Sequence, residues 1–212
     1  MSKQMKYQVS GYEPASNGAV IFTVVPDGHV QNGRPNRVPQ FVVAVRGTVD
    51  NLGFDWSGSP DNPGNATDEI QADITDRMKE RFAWIHRVNE LVTMIEKWAR
   101  ELGWSTRRIE KRLEDARVGT HRIPALLMQA ETCQIILDPV GRSSPGTEGM
   151  VDLYLMPAYD DIASIYHYKG QWNLHYVFPN RKAVASVREA EAQPLSKDAL
   201  EKVLAEMKKH AH

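Results

Sequence analysis

The 212 residues suffice for one fair-sized domain, or a domain with an appendage, built on a real core. Apolar residues at 42% and charged residues at 25% exclude global disorder, and a formal net charge of -1 excludes a bulk field drawing the chain to nucleic acid or anionic lipid. The single cysteine, Cys133, excludes an intrachain disulfide and a multi-cysteine zinc site. Its apolar run, Cys-Gln-Ile-Ile-Leu, predicts a buried small hydrophobe rather than a nucleophile.

The opening MSKQMKYQVSGYEP holds no apolar run of leader length, so a soluble cytoplasmic protein without a membrane partner is expected. Residues 1–50 read as an N-terminal β unit: a weak strand at Tyr7–Val9, a strong one at Ala19–Val25, and a nearly continuous apolar one at Gln40–Arg46. Pro26–Pro39 is a long loop. Residues 51–66, dense in Gly, Pro, Asn and Ser, read as a connection.

A main α+β domain is predicted over 67–182. Thr67 is placed as the N-cap of a long helix, with Asp68 and Glu69 in its first turn. Ile85, Val88, Val92, Ile95, Ala99 and Leu102 make a stripe that Trp84, Leu91 and Trp98 widen, a face suited to a sheet. Gly103 ends that helix, and Ser105 is expected to cap a second, shorter one from Thr106 to Arg117. Five strands in a meander follow, at Ile123–Gln129, Thr132–Leu137, Met150–Met156, Ile162–Tyr168 and Trp172–Phe178. The tail, 183–212, carries a helix capped by Ser196, with the stripe Leu200, Val203, Leu204 and Met207. The expected class is α+β, an antiparallel sheet packed by helices.

Two stretches point toward chemistry. A turn centred on Tyr159 and Asp160 sets Asp152 opposite His167 and Tyr154 opposite Ile165, with Lys169 on the same face as His167 and an upstream acid, Glu131 or Asp138, nearby. An Asp on one strand facing an acid-x-Lys on the next resembles the core of metal-dependent nucleases, although His167 stands where that family carries an acid. The resemblance implies Asp152, with Asp138, as ligands of magnesium or manganese, and Lys169 steadying the attacking water or the phosphate. Outside this reading no cofactor is expected.

In the second stretch, Ala99, Leu102, Gly103 and Ile109 have the spacing of close contact, turn and inward residue in helix-turn-helix DNA readers, which this stretch resembles. The resemblance implies a nucleic-acid-binding helix presenting Arg107, Arg108, Lys111 and Arg112, although Trp104 is bulky for the turn. The catalytic sets of the common hydrolases and kinases are missing, and Tyr154, Tyr166, Tyr168, Trp172 and Tyr176 crowd the last strands. The leading expectation is therefore an accessory or interaction module with a protein partner and no catalysis of its own. A metal-dependent nuclease and a nucleic-acid binder are the alternatives.

Overall fold

The computed structural model describes residues 7–15, 17–26, 30–31, 34–35, 41–48, 50–57, 66–142, 146–159, 162–178 and 193–211. The side chain of Thr67, most of the loop expected between Pro26 and Pro39, and the Asp160–Asp161 turn lie outside the described residues. The class is α+β, as expected. The chain divides into two compact units, one of residues 1–83 and 114–121, the other of residues 84–113 and 122–212.

The first unit holds an antiparallel sheet in the order β1 (Tyr7–Pro14), β2 (Val20–Pro26), β5 (Phe41–Thr48), β6 (Asn51–Ser57). Two short strands, β3 (Val30–Gln31) and β4 (Arg34–Pro35), pair with each other within the expected loop. The stretch 51–66, expected as a connection, thus contains a strand. Leu52, Phe54 and Trp56 alternate with exposed neighbours, a period-two pattern masked by the surrounding Gly, Asn and Asp. Helix α1 (Ala66–Glu101) starts in this unit, where Ile70, Ile74 and Met78 close over Val20, Phe22, Val24, Val43 and Val45. Arg77 and Arg81 also donate to the carbonyls of Arg117, Val118 and Thr120 at 3.0–3.3 Å, fixing the 114–121 segment.

The second unit is built, among the described residues, on seven strands. These are β7 (Ser105–Leu113), β8 (His121–Ala130), β9 (Cys133–Gly141), β10 (Met150–Leu155), β11 (Ile162–Tyr168), β12 (Gln171–His175) and β13 (Gln193–Pro194), each beside its chain neighbour. The two-residue β11–β12 turn has Lys169 at φ 49° and Gly170 at φ 78°, the pair of left-handed residues that a tight hairpin turn of type I′ requires. Residues 84–99 of α1 and the tail helix α2 (Lys197–His210) bury their apolar stripes in one core with Leu126, Met128, Ile135, Leu137, Val151, Leu153, Ala163, Ile165 and Leu174. Trp84 is fully buried and Trp98 is packed against the same core, so the broad stripe meets a sheet as predicted. Ser196 caps α2 as expected, its Oγ accepting from the Ala199 amide at 3.2 Å.

The predicted second helix over 106–117 is not found. Residues 105–113 form strand β7 at the end of the sheet. Helix propensity is a weak prior, and here the side chains have better partners at long range than within one turn. Arg108 reaches Glu96 at 2.7 Å and Thr93 at 2.9 Å on α1, while Glu110 pairs with Arg122 at 3.1 Å on β8. Trp104, bulky for a helix-turn-helix turn, is buried in the core. Among the described residues no helix is long and apolar enough to cross a membrane.

Candidate functional site

The expected hairpin register is also corrected. Tyr154 pairs with Ile162 and Asp152 with Ser164, so the hairpin centres on Ala158 rather than on Tyr159 and Asp160. The partner of Asp152 moves by three residues, from His167 to Ser164, and an odd shift exchanges the faces of a strand. His167 therefore lies on the helix-covered side, where it is buried. Its Nδ1 is 2.8 Å from Glu148 Oε2 and its ring meets Trp172 edge-on. Lys169 sits in the exposed β11–β12 turn, its Nζ 5.2 Å from the Tyr168 ring centroid. The nuclease-like grouping of Asp152, His167 and Lys169 is dispersed.

Of the two upstream acids, Asp138 and not Glu131 is the neighbour of Asp152, which gains others as well. Asp138 of β9, Asp152 of β10, Ser164 of β11 and His175 of β12 are successive cross-strand partners, forming one rung across four strands. Alternation puts all four on the face opposite the helices, with neighbours about 5 Å apart. Lys111 of β7 joins from the side, donating to both carboxylate oxygens of Asp138 at 2.7 Å and to the Pro139 carbonyl at 3.0 Å. Of the four residues expected to meet nucleic acid, Lys111 thus serves this rung and Arg108 serves α1. Arg107 and Arg112 remain exposed on β7.

The Tyr154 hydroxyl donates to Asp152 Oδ2 at 2.9 Å. Burial first, then the Asp152 hydrogen bond, pushes the Tyr154 phenol up to about 12, so at neutral pH it is a fixed donor and not a base. Asp152 is only 6% exposed, and its Oδ1 is buried with no hydrogen-bond donor among the described residues. The Nε2 of His175 is likewise buried and has no partner among the described residues. Two carboxyl groups and one ammonium thus meet at the rung, with Lys111 spent on Asp138 and Tyr154 on Asp152.

An apolar shoulder adjoins the rung. The Tyr154 and Tyr159 rings lie 5.6 Å apart, and Ile162 pairs with Tyr154; Tyr159 and Ile162 are each 50% exposed. Among the described residues no three carboxylate, imidazole or thiol groups gather closely enough to hold a metal. A divalent ion at Asp138 and Asp152 would take the remainder of its shell from water or substrate, as magnesium commonly does. Ser164 and His175 were not singled out in the sequence. Their signal is the period-two pattern of the last strands, but only the correct register aligns them. No family model, curated protein or solved structure matches the chain.

Proposed function

We propose that the protein is an interaction module without catalysis of its own, binding a protein partner through the sheet face that carries the rung. The observation supporting this is the pair Tyr159 and Ile162, each half-exposed, beside Tyr154 at the end of the rung. Exposed aromatic and aliphatic groups gathered at one place are the composition of a contact centre, where they supply most of the binding energy. A cytoplasmic setting agrees with the lone cysteine being buried. The test is a photo-crosslinking residue at position 162, compared with one at the exposed Glu201 of α2, in extracts of the native host. Position 162 is expected to yield a discrete protein adduct that Tyr159→Ala diminishes. Identical adducts at both positions would reject the reading.

A second reading is favoured by the adjacency of Asp138 and Asp152 with one oxygen free. In this reading the two carboxylates hold magnesium or manganese, and Lys111, rather than Lys169, is the nearby cation of a phosphodiesterase. Metal-dependent cleavage of DNA or RNA that is lost in Asp152→Asn would replace the first reading with this one.

A further inference from the structure

We infer that β7 is a docking edge for an extended acidic segment of a partner protein, which joins the seven-stranded sheet as a further strand. This does not rest on the reading of the rung. The two ends of the sheet are built differently. At one end β13 is two residues long and carries Pro194, which blunts pairing. At the other, β7 runs nine residues without proline, and no strand among the described residues lies beyond it. Its outward backbone N–H and C=O groups offer a ladder for strand addition.

The charges on β7 say what kind of strand fits. Arg108 is held by Glu96, Lys111 by Asp138, and Glu110 by Arg122. Arg107 and Arg112 are exposed and make no ion pair or side-chain hydrogen bond among the described residues. Five residues apart, they fall on opposite sides of the strand, so an incoming segment with acids on both sides meets one arginine on each. Charge on an edge also deters self-association, since a second copy of β7 would bring arginine against arginine; an acidic strand removes that repulsion. Two unpaired cations are few for a nucleic-acid backbone, whose binding usually rests on several phosphate contacts.

The test is fluorescence anisotropy of the full-length protein with a labelled peptide of about ten residues in which pairs of Glu alternate with pairs of Val, so that acids fall on both sides of the strand; it is roughly the length of the edge. Saturable binding is expected, weakening by about fivefold or more as salt rises from about 50 to about 500 mM. The pair Arg107→Glu and Arg112→Glu, which touches no packed group, should weaken binding by about tenfold while leaving the circular dichroism spectrum unchanged. The same peptide N-methylated at alternate residues should not bind. The inference is overturned by absence of binding, by equal binding of the N-methylated peptide, or by a single-stranded oligonucleotide of matched charge binding more tightly at the same edge.

Discussion

Gly149 is the position where one added carbon should do the most damage. It has φ 151°, a region that side-chain-bearing residues rarely enter, and its carbonyl accepts the His167 amide at 2.9 Å, extending the ladder beyond the start of β10. A Cβ built there runs into the six-membered ring of Trp84, which is 1% exposed at the centre of the larger core. Two terms therefore act in Gly149→Ala. Backbone strain costs about 1–2 kcal/mol, and overpacking against a ring with nowhere to go costs about 1–3 kcal/mol more. Gly170, at φ 78° with open space around its Cβ direction, carries only the first term. Gly170→Ala is thus the internal control. In urea titrations followed by tryptophan fluorescence, Gly149→Ala should lower stability by about 3 kcal/mol, a midpoint shift of about 1.5 M for an m-value near 2 kcal/mol/M. In a double-mutant cycle with Trp84→Leu, the increment from Gly149→Ala should fall by about 1–3 kcal/mol, the overpacking share, leaving the backbone strain. Equal costs for the two glycines in the native background, or an increment indifferent to Trp84, would refute the packing argument.

Three further outcomes are expected. Lys111→Met removes the ammonium that three acceptors share and leaves two carboxylates on one rung. It should cost about 2 kcal/mol, with a coupling to Asp138→Asn of at least about 1 kcal/mol in a denaturation cycle, and additivity of the two variants would count against the pairing. In an absorbance titration one tyrosine should ionise at about 12, and that late step should be missing in Tyr154→Phe. Because the folded-state value lies above the ordinary 10, the stabilisation from the neutral phenol is complete below pH 10 and disappears as pH climbs toward 12; an early, uniform titration of all tyrosines contradicts this. Burial pushes the Cys133 thiol up, so a disulfide reagent should label it only at the rate at which the larger unit unfolds, and rapid labelling of the native protein would contradict its burial.

Much of the larger unit was legible because its signals are local and strong. The stripe of α1, the Ser196 cap with its Leu-Val-Leu-Met stripe, and the β-branched and aromatic runs of the last strands each carry a pattern that burial alone explains. What failed turned on long-range competition. Residues 105–113 show plausible helical pairing within one turn, but Glu96, Arg122 and Asp138 bid for the same charges across the fold and the strand wins. Strand β6 was hidden because its alternating Leu52, Phe54 and Trp56 sit among turn-forming residues. The site depends on a finer quantity still. Of the two upstream acids that the sequence offers, Asp138 and not Glu131 lies opposite Asp152, and moving the hairpin centre from the Tyr159–Asp160 pair to Ala158 carries His167 to the other side and brings in the row through Ser164 and His175.

The route of α1 has a consequence for any attempt to dissect the molecule. The chain leaves the first unit midway along that helix, between Ala83 and Trp84, and comes back for Glu114–His121 before departing again. Neither half can be inherited, deleted or transplanted as one uninterrupted stretch. A fragment stopping at residue 83 would lack the carbonyls that Arg77 and Arg81 hold, and one starting at residue 84 would carry a loop whose proper partners are gone. The two parts are tied together in the reading of the gene, so a nick in the 84–113 interval should injure both.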